Sequence, residues 1–173
     1  MKYVATDELH NFDYHDAELM AMDWHGKDFV WQVKSINASA KNTKNNHPKD
    51  MCIKYAKMVF KDACIENIVF SGYKTYSADG TLLKSVEAET AAPEEYEKII
   101  NNSTSTYCYI FGMVKQSYIK TANDRFSVCF DIDGGEGHCI ITISFTEAIV
   151  SWDEFSGEAW YEHPKWKKKG QEE

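Results

Sequence analysis

Phe126, Val128, Phe130 and Ile132 alternate with more polar residues, and after the glycine-rich DGGEG segment Cys139, Ile141, Ile143 and Phe145 do the same. Successive side chains share a face at this spacing only in a β-strand, so the two runs, 125–132 and 138–152, read as an antiparallel pair joined by a glycine-rich turn. Similar runs recur along the chain. Residues 17–24 and 29–36 flank HGKD, where Gly26 suits a positive φ, and form a predicted hairpin. Further strand-like runs cover 51–60, 64–76 and 82–89, the last two joined through Asp79-Gly80, and 106–116. One segment is helical by its signals: over 93–102, PEEYEKIINN starts with proline and two glutamates, closes on asparagines and turns Tyr96, Ile99 and Ile100 to one side. A shorter turn is expected at 6–12 with Thr6 as its cap.

No βαβ rhythm and no internal repeat appear. The expected fold is therefore mainly β (α+β), an antiparallel sheet of about eight or nine strands curled into a sandwich or barrel, with one helix near 93–102. With 173 residues, 43% of them hydrophobic, the chain is the size of a single domain able to build its own core. An exposed loop is expected at 37–50, which is polar and carries Pro48, and a polar tail at 164–173.

The opening thirty residues lack a signal-peptide pattern and no run approaches 18 apolar residues, so a cytoplasmic protein without membrane contact is expected. Cys52, Cys64, Cys108, Cys129 and Cys139 form an odd set without a CxxC pair, which suits reduced thiols. Charge is segregated under a net −8: residues 34–61 hold seven lysines against Asp50, whereas 131–163 hold eight acidic residues and no lysine or arginine. Such a surface disfavours nucleic acid and attracts basic partners. Arg125 stands alone against 18 lysines, which removes most capacity for bidentate base or phosphate recognition.

Candidate sites are few. HNFDYHDAEL, at 10–19, gathers His10, Asp13, His15 and Asp16. A metal needs three or four converging ligands. On a strand His15 shares a face with Asp13 only, and on a helix His10, Asp13 and Asp16 align without His15, so no regular element collects all four. The plainer reading is a polar approach to the first hairpin. DIDGGEGHC places Gly135 and Thr142 where an EF-hand loop needs a carboxylate or amide and a glutamate, so it is not a calcium loop. His138 and Cys139 are strand neighbours that face opposite ways and cannot form a thiol dyad. No GxSxG or HExxH sequence is present, and no cofactor motif, so catalysis would need scattered residues.

Aromatic residues say more. Tyr107, Tyr109 and Phe111 share one face of 106–116 while Cys108 and Ile110 share the other. The strand is expected to be central and buried on both faces, the alternative being a tyrosine face that lines a ligand pocket. At the C-terminus Trp152, Phe155, Trp160, Tyr161 and Trp166 are interleaved with Asp153, Glu154, Glu158 and Glu162. These rings either pack back on the sheet or form an acidic aromatic interaction patch around Trp152, Asp153, Glu154, Trp160, Tyr161 and Glu162.

NFDYHDAELMAMDWHGKDFVWQV, a Phe-x-Asp lead into a strand, a turn and a second apolar strand, resembles the start of small β-rich bacterial families, some described as immunity proteins of toxin systems. That resemblance covers about 25 residues and implies no functional residue. Three functions are expected in descending order: a protein-binding module of the immunity type acting on a basic partner, a small-ligand-binding β-barrel or sandwich, and a hydrolase or metal enzyme centred on His10–Asp16.

Overall fold

A computed structural model describes residues 1–15, 17–114, 118–121 and 123–167. The expected alternation is realised as fifteen strands among these residues: β1 (Tyr3–Thr6), β2 (Phe12–Asp13), β3 (Ala17–His25), β4 (Asp28–Ala38), β5 (Met51–Lys61), β6 (Cys64–Phe70), β7 (Tyr73–Tyr76), β8 (Leu82–Val86), β9 (Glu89–Thr90), β10 (Tyr109–Met113), β11 (Ile119–Lys120), β12 (Phe126–Gly134), β13 (Gly137–Phe145), β14 (Glu147–Trp152) and β15 (Phe155–Glu158). Thirteen belong to one antiparallel sheet whose main path runs β1-β14-β5-β4-β3-β10-β12-β13-β6-β9, and β7 pairs with β8 apart from it.

The sheet curls so that its inner faces meet. Trp31 of β4 lies 4.9 Å from Phe130 of β12, ring centre to ring centre, and Phe60 of β5 lies 5.2 Å from Phe145 of β13. Its ends, β1 and β9, do not pair, so the barrel alternative is replaced by an open, folded-over sheet. Burying rings of this size stabilises by roughly 1.5–3 kcal/mol each, which is why the aromatic inner face dictates the curl.

The predicted antiparallel pair forms with Phe126 opposite Phe145 and Gly134 opposite Gly137. The β3–β4 hairpin turns at Gly26 with φ 67°. The strand count exceeds eight or nine because several predicted runs break. Residues 138–152 split at Thr146, whose amide donates to the Lys61 carbonyl at 2.9 Å and turns the chain from β13 into β14. No glycine or proline marks that corner.

The predicted helix forms as a 3-10 turn at Pro93–Glu95 followed by α1 (Tyr96–Ser103), with Ile99 and Ile100 buried. In the N-terminal turn the 3-10 segment covers Leu9–Asn11 and is preceded by Glu8, so Thr6 is not its cap. The loop expected at 37–50 differs too. Asn37 and Ala38 belong to β4, and buried Asn45 donates from Nδ2 to the carbonyls of Ala38, Ser39 and Lys49 at 3.0, 3.1 and 2.9 Å. Glu8 accepts from the Thr43 amide at 2.9 Å and from the Thr43 hydroxyl. The segment is pinned from within rather than being a simple exposed loop.

Arg125 ties two corners of the sheet together. Its guanidinium donates to the Asp62 carboxylate at 2.8 Å and to the Ser144 carbonyl at 3.3 Å, linking the β5–β6 corner to β12 and β13. At the tail, α2 spans Pro164–Lys167, and 168–173 lie outside the described residues. No helix among the described residues is long and apolar enough to cross a membrane.

Candidate functional site

After Trp152 the chain continues antiparallel to β5, and β15 pairs Phe155 with Ile53, Gly157 with Cys52 and Glu158 with Met51 around a bulge. Ala159 then donates its amide to the Asp50 carbonyl at 2.9 Å, which sets a 3-10 turn over Trp160–Glu162. On the neighbouring strand, β2 pairs with the last residues of β4, Phe12 with Ala38 and Asp13 with Asn37, so the link that leads to β3 passes near the same end of the sheet. Between them opens a groove of about 290 Å³ with Asn37 and Cys52 among its lining residues, Ser156–Glu158 of β15 on one side, and His15, Ser35 and Trp160 completing it.

Trp160 is 53% exposed, a large ring left half in water, and it packs edge-on against Tyr161 at 5.6 Å. Tyr161 is half-buried, and its hydroxyl donates to the Asp50 carboxylate at 3.0 Å. Burial first, then the nearby Asp13 and Asp50 carboxylates, push the Tyr161 hydroxyl far above its ordinary pKa, so it stays a neutral donor. Glu158 is ion-paired with Lys49 at 2.7 Å. Ser35 holds φ 64°, a left-handed backbone unusual for serine, and such strained positions cluster at functional surfaces.

The C-terminal candidates divide. Trp152 is a correction to the interaction patch: it is wholly buried, stacked on Tyr3 at 5.3 Å and edge-on to Phe12 at 5.8 Å, because β1 covers the outer edge of β14. Asp153 is exposed but engaged with the chain's start, accepting from the Lys2 amide at 2.9 Å and lying 3.4 Å from the terminal amine. Glu154 is exposed, and Glu162 sits partly buried in the Trp160 turn. The structure thus brings Trp160, Tyr161 and Glu162 together and assigns Trp152 to the core.

In the opening stretch Asp13 accepts from the His15 amide at 3.1 Å, the local turn expected of a polar strand approach. His10 stacks on Tyr118 at 5.8 Å, whereas His15 lines the groove, and Asp16 lies outside the described residues. Among the described residues no three His, Cys, Asp or Glu side chains are placed to hold one metal ion.

Tyr107, Tyr109 and Phe111 are exposed, which corrects the expectation of a strand buried on both faces, and they point outward rather than into a pocket. Among the described residues no element covers that side of β10, while Cys108 and Ile110 fill the core. Cross-strand pairing aligns Tyr55, Lys34, Glu18, Tyr109, Asp133 and His138 in one row across the outer face. His138 lies 2.6 Å from Asp131 and beside Phe111, not against Cys139, which is buried. Burial pushes the Cys108 and Cys139 thiols up to about 12, the opposite of an activated nucleophile.

Sequence reasoning missed Ser35, Asn37, Cys52, Ser156 and Gly157 as groove residues. They come from three strands that only the β4–β5–β15 pairing assembles, and none carries a local motif. Comparison with protein-family models, with curated proteins and with solved structures finds no match to this chain.

Proposed function

We propose that the protein is a binding module for a basic protein partner, of the immunity type, acting through an acidic aromatic surface centred on Trp160. The observation that carries this reading is the half-exposed Trp160 ring at the edge of a groove with Glu158, backed by Tyr161 and the Asp13 and Asp50 carboxylates. Tryptophan and tyrosine beside a pocket are the usual anchors of an interface, and surrounding carboxylates steer a basic partner. Trp160 and Tyr161 replace Trp152 as the aromatic centre, with Glu154 and Glu162 as the acidic surround and Glu158 held by Lys49. A small ligand held in a β-barrel cavity is the weaker reading, since the Tyr107, Tyr109 and Phe111 face expected to line it points outward.

The test is affinity capture of the tagged protein from lysate of its own source at low and high salt, with Trp160→Ala run beside it. The expected outcome is one basic protein retained at low salt, lost at high salt, and bound at least roughly 30-fold more weakly by Trp160→Ala, about 2 kcal/mol at a hot spot. Equal capture by Trp160→Ala, or retention of a small molecule with no protein, overturns the proposal.

A further inference from the structure

β7 and β8 form a ribbon that stands apart from the main sheet. Its pairing of Tyr73 with Val86, Lys74 with Ser85 and Thr75 with Lys84 continues the register in which β6 and β9 pair Val69 with Thr90. The ribbon is therefore an outward extension of the β6–β9 pair, broken at Gly72, where a Cβ would lie 2.8 Å from the Ala88 amide nitrogen and 2.8 Å from the Val86 carbonyl oxygen. Asp79 and Ser77 knit its tip to the Thr81 amide at 3.1 Å each, so the arm has a formed end.

Every residue of the two strands except Val86 is exposed, including Tyr73, Tyr76, Leu82 and Leu83, the last at 66%. A lone two-stranded hairpin is marginal in water and needs a packed face. The arm has formed turn chemistry and apolar side chains, but among the described residues no element packs beneath it.

A matching recess lies elsewhere. Trp24, Ile65, Pro93, Tyr96, Glu97 and Ile100 line an open, largely apolar groove of about 530 Å³ between the end of β3, the start of β6 and α1. The arm cannot reach the groove of its own chain. The groove lies at Cys64 and Ile65 and the arm leaves beyond Phe70, so the seven residues of β6, roughly 23 Å at ~3.3 Å per residue, separate them in opposite directions.

We propose that two copies of the chain exchange these arms about a two-fold axis, each β7–β8 ribbon seating Tyr76, Leu82 and Leu83 in the groove of the other. Charge agrees: the arm carries Lys74 and Lys84 against Asp79 alone, while the whole chain is at −8 and Glu97 lines the groove with Glu94 and Glu95 beside it on the turn that enters α1. Area points the same way. A few half-covered side chains bury on the order of a few hundred Å², so one junction alone is far below the roughly 1,200–2,000 Å² of a standard interface, and a two-fold arrangement, which forms both junctions at once, reaches the range of a weak dimer. This pairing is independent of the Trp160 surface.

The test is the solution mass of the full chain by light scattering and sedimentation at low salt, with an arm variant, Leu82→Lys with Leu83→Lys, and a groove variant, Trp24→Ala with Glu97→Lys. Thermal melting first establishes that both variants fold. The wild type and Trp160→Ala are expected at twice 19.9 kDa, and each variant at 19.9 kDa, with the dimer dissociation constant raised at least tenfold. An equal mixture of the two variants keeps one intact arm and one intact groove, and is expected to form a single-junction heterodimer, weaker than the wild-type dimer but present at concentrations where neither variant associates alone. A monomeric wild type, or variants that remain dimeric, overturns the proposal. Variants that are monomeric alone and show no association when mixed also overturn it, and a groove variant that remains dimeric while the arm variant is monomeric points to arm-to-arm pairing instead.

Discussion

Glu8 shows how one exposed-looking acid can organise a loop. Its burial works to raise the carboxyl pKa, but hydrogen bonds from the Thr43 hydroxyl, the Thr43 amide and Asn11 outweigh it and hold the carboxyl below its ordinary pKa. A pKa lower in the folded than in the unfolded chain stabilises above the unfolded value and is lost as pH falls through the folded one. Lowering the pH from 5 towards 3 is therefore expected to loosen the 39–50 segment. Limited proteolysis with an acid-active protease should cut there more readily at the lower pH. Glu8→Gln should cut readily at both pH values, and a pH response that survives in Glu8→Gln would show that another group controls the segment. In sequence, Glu8 is an ordinary acid in a polar stretch and NASAKNTKNNHPKD looks like a loop. That Asn45 would sit buried with three carbonyl partners was not legible there, because its partners depend on where β4 ends and how the chain returns to β5.

At the scale of elements, period-two alternation marked β12 and β13 well, since each has a continuous inner face, whereas in β3, β4 and β5 the buried face changes phase, from Leu19 to Met22, from Val33 to Ile36 and from Ile53 to Ala56, which strict alternation does not show. It was silent on β2, β9 and β11, which have two residues each, too few to alternate. It also could not tell whether an apolar outer face would be covered: Tyr107, Tyr109 and Phe111 are as aromatic as core residues yet face outward. Two glycines separate elements that belong to the core from those that do not. A Cβ on Gly134 would lie 2.5 Å from the Ser103 carbonyl oxygen, where the end of α1 packs on β12, whereas one on Gly72 would meet only the root of the arm. Gly134→Ala is expected to cost roughly 1–3 kcal/mol in urea unfolding, the usual range for forced displacement in a packed site. Within the monomeric Leu82→Lys, Leu83→Lys background, Gly72→Ala is expected to leave the global transition nearly unchanged while hydrogen exchange of the arm amides speeds up, because the arm contributes no buried face to its own chain. A global loss from Gly72→Ala in that background would mean that the arm packs on its own chain.

For the whole molecule, sequence separation limits what can be read. Trp152 and Trp160 lie in one acidic aromatic segment and look alike there, yet they have opposite fates. Trp152 is covered because β1 pairs with β14 and lays Tyr3 on its ring, and β2, paired with the end of β4, adds Phe12, while Trp160 lies past β15, after which no strand follows among the described residues. The fold class was legible from local alternation, but the join between the two ends of the chain was not. Neither was the groove that His15 shares with Trp160. The same contrast supplies a direct check. Trp152→Ala removes a fully buried ring and is expected to cost roughly 3–5 kcal/mol in denaturant unfolding, with the truncation felt at Tyr3, Phe12 and Phe155 together. Trp160→Ala, half in water already, is expected to change stability by less than about 1 kcal/mol. If Trp160→Ala unfolds the protein as Trp152→Ala does, the C-terminal aromatics are all core, and a loss of binding in that variant would report unfolding rather than a lost contact.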